Sequence, residues 1–108
     1  MNEFTLQVQT TNHYLLRGRV NFANAAVLHR QLMRALQQSH AQHAFALDLR
    51  DLTQLDTTLL ALLLELHAQA SLRQQSLQLD NPPPALRALA QLSEVEILFS
   101  ATSAMSDG

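Results

Sequence analysis

The amino-acid sequence predicts a single α/β domain with a mixed sheet of four to five strands and about three helices. Apolar and polar residues alternate at the N-terminus as in a half-exposed strand, and short apolar runs then alternate with longer segments of helical periodicity. Such strand–helix–strand units favour parallel neighbouring strands joined by right-handed crossovers. We therefore expect the element order ββαβαβαβ, with one domain over residues 1–100 and a frayed tail over residues 101–108.

The first half of the chain predicts two strands and a helix. Residues 4–8 alternate as a strand, and a short polar turn separates them from a second strand over residues 14–20. Gly18 inside that strand indicates a bulge or a close backbone contact. Asn24 is the expected N-cap of the first helix, which ends near Ser39. The apolar stripe of this helix comprises Val27, Leu28, Leu32, Ala35 and Leu36.

The second half predicts the remaining elements. Residues 43–49 form a strand, a leucine-rich helix runs from about residue 57 to 72, and residues 77–80 form a short strand. The segment "NPPP" at 81–84 ends that strand and begins a third helix. Residues 95–99 predict a last strand. The third helix is expected to direct Leu86, Leu89 and Leu92 inward.

Composition excludes several classes of partner. The net charge is −2 and the seven basic residues are scattered arginines, so nothing favours nucleic acid or an anionic membrane.

The absence of cysteine excludes disulfides and thiolate chemistry and fits a reducing compartment. The N-terminus lacks the features of a secretory signal, and the apolar run at 59–64 is too short to span a bilayer. We expect a cytoplasmic protein without direct membrane insertion.

Catalytic and metal sites are not expected. With two glycines and no lysine, the chain has neither a P-loop nor a dinucleotide-binding fingerprint, and no signature marks a nucleophile with its base. His40 and His43 are three residues apart, but no third ligand completes a coordination set. The sequence therefore predicts no enzyme, no metal and no cofactor.

Asp48, Asp51 and Asp56 are the nearest approach to a carboxylate cluster. Asp56 stands where the leucine-rich helix needs an N-cap, because its carboxylate can accept the free amide hydrogens of the next turn. A capping role and a direct functional role both remain open for this residue.

The segment "ALDLRDLTQLDTTLLALLLEL" resembles the centre of a STAS domain (sulfate transporter and anti-sigma factor antagonist). In that family a strand leads through a short loop to "D-S-S-G-L" or "D-T-G-G-L" at a helix start, and Asp56 and Thr57 match the acidic and hydroxyl residues. The upstream segment "LLRGRVNFANAAVL" is similar to the family's "L-x-G-x-L" strand and first helix. The resemblance covers nearly the whole chain and implies the fold predicted above.

Within the family the chain is most similar to MlaB-type proteins, whose motif reads D-T-G-G-L-A-L-L. Six of eight positions agree over residues 56–63, with Thr58 and Leu59 in place of the two glycines. The resemblance implies a subunit that binds the MlaF-like ATPase of an ABC transporter maintaining outer-membrane lipid asymmetry. It would contact the membrane permease through that ATPase, peripheral to the inner membrane.

The run of leucines after Asp56 has two interpretations. Leu60 and Leu64, with Ala61 as a possible third, are expected on the helix face away from the predicted sheet, where they would form an exposed patch for a partner. Alternatively, the first helix or the C-terminal segment covers them. The expected partner contact comprises Asp56, Thr57, Thr58, Leu60 and Leu64, with Arg19 and Asn21 flanking it.

Two further hypotheses come from other functional classes. The chain could be an anti-sigma factor antagonist, released from a kinase when Thr57 is phosphorylated, although the resemblance to MlaB-type proteins favours Thr57 as an interface contact and its structural alternative is a plain first helical residue. The sequence "G-R-V-N" at 18–21 departs from the acidic "G-E-L-D" common in that group. A lipid bound to the apolar patch is the third hypothesis, and no pocket signature supports it.

Overall fold

The computed structural model describes residues 3–92. Within them the predicted α/β class and element order are confirmed, whereas the predicted strand at 95–99 and the tail lie outside the described residues. The elements are β1 (Phe4–Thr10), β2 (His13–Arg19), α1 (Ala25–Gln38), β3 (Phe45–Gln54), α2 (Thr57–Leu72), β4 (Leu77–Asp80) and α3 (Pro84–Leu92).

The sheet of the described residues has four strands in the order β1-β2-β3-β4. β1 pairs with β2 in antiparallel fashion, and β2, β3 and β4 are parallel, so the sheet is mixed as predicted. α1 connects β2 to β3 and α2 connects β3 to β4, so both connections move across the sheet in the same direction. Right-handed crossovers in one direction place both helices on the same face of the sheet. We call the edge at which β2, β3 and β4 end the carboxyl edge, and the opposite edge the amino edge.

The apolar character of α2 follows from its central position. α2 contacts α1, α3 and β4, so it has packing neighbours on several sides, and a helix that is apolar all round is one that is buried. Leu60 is only 4% exposed and belongs to the hydrophobic core, together with Leu59 and Leu63. The expectation that Leu60 lies near the surface is therefore wrong. Leu64 is half-buried against the same core, and Ala61 is exposed.

Gly18 confirms the prediction of a close backbone contact. Its φ of 98° lies in the left-handed region, and a Cβ atom at this position would lie 2.3 Å from the carbonyl oxygen of Glu3. The ladder between β2 and β3 also shifts register between Gly18 and Arg19. A residue without a side chain thus lets β1 approach β2 where the second strand bends.

Two local predictions differ from the structure. β3 extends to Gln54, beyond the predicted end at Leu49, because the polar segment after Leu49 still pairs with β2. This pairing includes register shifts, so the segment does not show the regular alternation by which a strand is predicted from sequence. Leu92 is 82% exposed rather than inward-facing, because α3 buries Leu86 and Ala90 on its inner face.

Candidate partner-binding surface

The loops that lead into α1 and α2 meet at the carboxyl edge. Arg19, at the end of β2, lies opposite Gln54, at the end of β3. The amide of Val20 then donates a hydrogen bond of 3.0 Å to the carbonyl of Gln54. The structure therefore brings the predicted flanking segment to the same edge as the start of α2. In open α/β sheets this edge is the usual place for binding sites.

The start of α2 is held by Asp56, as the sequence predicts. Its Oδ1 atom accepts a hydrogen bond of 2.8 Å from the amide of Thr58, and its backbone is extended, as an N-cap requires. Thr57 is the first residue of the helix and is exposed, whereas Thr58 is half-buried. The hydroxyl-bearing position of the motif thus faces solvent on a fixed helix end.

The loop between β2 and α1 is held by two asparagines. The amide of Asn21 donates to Oδ1 of Asn24 (3.0 Å), and Oδ1 of Asn21 accepts from the amide of Ala23 (2.9 Å). Nδ2 of Asn24 donates to the carbonyl of Arg19 (2.9 Å). Asn24 occupies the predicted N-cap position, but its side chain makes no capping hydrogen bond to α1. It closes the loop on itself instead.

Glu3 contacts both residues that were predicted to flank the site. The guanidinium group of Arg19 forms an ion pair with Oε1 of Glu3, and Nδ2 of Asn21 donates to Oε2 of Glu3 at 3.3 Å. The charge of Arg19 is therefore balanced within the chain. Sequence inspection missed Glu3 because its partners lie 16 and 18 residues away.

Phe22 is the most exposed large hydrophobic residue at this edge. It is 85% exposed and lies between the two loop asparagines. Sequence analysis did not select it. The signal that could have identified Phe22 is an aromatic residue in an asparagine-rich loop, outside the apolar stripe of α1.

Charged residues line a cavity beside this edge. An open cavity of about 630 Å³ adjoins it, and its lining includes the charged residues Glu3, Arg17, Arg50 and Asp51. Arg17 and Asp51 form an ion pair at 3.6 Å. The lining of the cavity also includes Phe4 and Leu52, so charged and apolar side chains are mixed there.

Two further properties concern residues 3–92 alone. Their His, Asp and Glu side chains form no group of three or more that could hold a metal ion. None of the helices in this part of the chain combines the length and the hydropathy required to cross a membrane.

A family model described as "Mlab, STAS domain" matches residues 9–100. The chain belongs to the STAS domain family. This STAS domain is also similar to solved structures of SpoIIAA. The unphosphorylated anti-sigma factor antagonist SpoIIAA is 20% identical, with a TM-score of 0.67, over 85% of this chain and 81% of that one.

A second structure is the Bacillus cell fate determinant SpoIIAA in its phosphorylated form. It is 18% identical to this STAS domain, with a TM-score of 0.66, over 88% of this chain and 86% of that one. Identities at this level establish a shared fold. The comparison with curated proteins gives no match.

Proposed function

We propose that this STAS domain is a non-enzymatic, MlaB-like subunit that binds and supports the ATPase of an ABC phospholipid transporter. It would act in the cytoplasm, at the inner membrane, and reach the permease through the ATPase. The match to the MlaB-type family model supports this class of partner. The observation that carries the proposal is the exposed Thr57 on the capped start of α2, beside the loop from β2 to α1.

The proposed contact is centred on the first turn of α2. Asp56, Thr57 and Thr58 form its middle, and the half-buried Leu64 lies on the same helix two turns later. Leu60 contributes to the core beneath the contact, because a side chain that is 4% exposed presents almost no surface to a partner. Arg19 and Asn21 form the flank.

The role of such a surface is to hold a partner in one position. The Asp56 cap and the hydrogen bonds of the neighbouring loop fix both elements before binding, so little conformational entropy is lost when the ATPase docks. Thr57→Glu would place a negative charge in the contact with the ATPase. An apolar or acidic surface of the partner could bind there only if that charge were desolvated, which opposes binding.

Co-purification of the tagged protein from its native host tests the proposal. We expect an ABC ATPase and its permease to accompany the wild type and to be lost with Thr57→Glu. Ser71→Glu is the matched control, because it adds the same charge to an exposed position at the other end of α2. Equal recovery of the ATPase with Thr57→Glu and wild type would remove Thr57 from the contact.

The second candidate is an anti-sigma factor antagonist controlled by phosphorylation of Thr57. Its supporting observations are the fold shared with SpoIIAA and the exposed hydroxyl at a helix N-terminus, where backbone amides favour anions. Incubation with ATP and host extract should then add about 80 Da, the mass of one phosphoryl group, and Thr57→Val should abolish the gain. No gain in mass together with recovery of an ABC ATPase would reject this candidate.

A further inference from the structure

Four large hydrophobic residues of the described chain are strongly exposed, and only one lies at the carboxyl edge. Val8 pairs with Tyr14 near the start of β2, which places it toward the amino edge. Leu72 and Leu92 are the last residues of α2 and α3, and both helices begin at the carboxyl edge and run away from it. Phe22 lies in the loop that follows β2 at the carboxyl edge, two residues after Val20, whose amide is bonded to the carbonyl of Gln54.

The backbone around Phe22 is fixed on both sides. Asn21 and Asn24 exchange hydrogen bonds across it, and Nδ2 of Asn24 is bonded to the carbonyl of Arg19. The preceding residue, Val20, is buried and its amide is bonded to Gln54. Exposure of a phenyl ring to water is unfavourable, and here the ring is carried by a loop whose backbone is fixed by these hydrogen bonds.

The polar side chains that precede Phe22 in the chain are balanced in charge. Glu3 and Arg19 neutralise each other, and the side chain of Asn21 is also bonded to Glu3. An apolar ring within a balanced polar rim is the pattern of a hot spot, in which a central aromatic residue enters a pocket and the rim excludes water.

We propose that Phe22 is the aromatic anchor of the interface, inserting into an apolar pocket of the ATPase. This inference rests on the proposed function, and it names the residue that contributes most of the binding free energy. The rim of that pocket would be uncharged and would offer hydrogen-bonding groups to the asparagine loop. Phe22 lies in the segment between β2 and α1, so the contact would extend from the first turn of α2 across the carboxyl edge.

The test measures binding of the purified ABC ATPase that co-purifies with the wild type. Immobilised wild type, Phe22→Ala and Leu72→Ala are compared by surface plasmon resonance, with melting temperatures recorded for each protein. Leu72→Ala is the matched control, because it also removes an exposed apolar side chain, at the opposite end of the domain. We expect Phe22→Ala to raise Kd by about 30-fold or more, the effect typical of an aromatic hot spot, with an unchanged melting temperature.

The outcomes separate this inference from the function on which it rests. Phe22→Ala that binds as tightly as the wild type overturns the anchor and leaves the proposed function intact. A loss of affinity of the same size in Leu72→Ala also overturns it, because the effect would then not belong to the carboxyl edge. If no ABC ATPase co-purifies with the wild type, the proposed function is overturned, and the anchor with it.

Discussion

The two edges of the sheet are built differently. At the amino edge the loops are connected by buried side chains. Nδ2 of Asn12 donates a hydrogen bond of 2.8 Å to the carbonyl of His40, and Oδ1 of Asn12 accepts one of 2.9 Å from the backbone amide of His40. Nε2 of Gln75 donates to the carbonyl of His43 at 3.0 Å. Asn12 and Gln75 are both buried.

At the carboxyl edge the loops are fixed as well, by the side chains of Asn24 and Asp56. Thr57 and Phe22 are exposed, and the Glu3–Arg19 ion pair lies at the surface. The side-chain hydrogen bonds of the two edges differ in how far along the chain they reach. At the amino edge the amides of Asn12 and Gln75 connect loops about thirty residues apart, whereas at the carboxyl edge the equally buried Asn24 and the Asp56 cap bond within their own loops. Under the proposed function, these short-range bonds hold Thr57 and Phe22 ready for a partner.

The largest expected effect on stability is at Leu60, in the core beneath the carboxyl edge. Leu60→Asp places a carboxylate among buried leucines, and burial of an unpaired charge should lower the free energy of unfolding by about 4 kcal/mol or more. Ala61→Asp is the matched control, because the neighbouring residue is exposed and should change stability by less than about 0.5 kcal/mol. Chemical denaturation monitored by circular dichroism measures both. Equal stability of the two variants would place Leu60 at the surface.

A smaller effect is expected at the amino edge. Asn12→Gly tolerates the positive φ of 63° but removes the side chain that satisfies buried backbone groups, so we expect a loss of about 2 kcal/mol. Affinity for the ATPase should not change in the folded variant. Full stability would show that this network contributes nothing, and lost affinity in the folded protein would move the binding surface to this edge.

The smallest effect on stability is expected at the cap of α2. Asp56→Ala removes the acceptor of the Thr58 amide and should cost about 1 kcal/mol, whereas Asp56→Asn keeps a capping oxygen and should cost little. Comparison of ATPase binding by the two variants separates the cap from the charge. If Asn restores stability but not binding, the carboxylate itself contacts the partner. A stability loss as large as that of Asn12→Gly would contradict the proposed difference between the edges.

The features that the sequence predicted are those with short-range signals. The capping role of Asp56 follows from a carboxylate directly before a helix, and the bounds of α2 and β4 follow from their periodicity and flanking residues. Gly18 was predicted to mark a bulge or a close backbone contact, because a glycine inside a strand commonly marks one or the other.

The features that escaped prediction depend on partners far along the chain. The burial of Leu60 depends on how many elements surround α2, which the periodicity of one helix does not reveal. Asn12 and Gln75 bond to a loop about thirty residues away, and no spacing pattern marks such contacts. The exposure of Phe22 depends on a loop conformation set by two asparagine side chains.

Hydrogen–deuterium exchange of the protein with and without its ABC ATPase tests the difference between the edges most directly. We predict slower exchange on binding in residues 20–24 and 55–60, because both segments lie at the carboxyl edge. Residues 39–44 and 73–76, at the amino edge, should exchange at the same rate in both samples. Protection confined to the amino edge would contradict the account, since the loops connected by Asn12 and Gln75 would then form the contact.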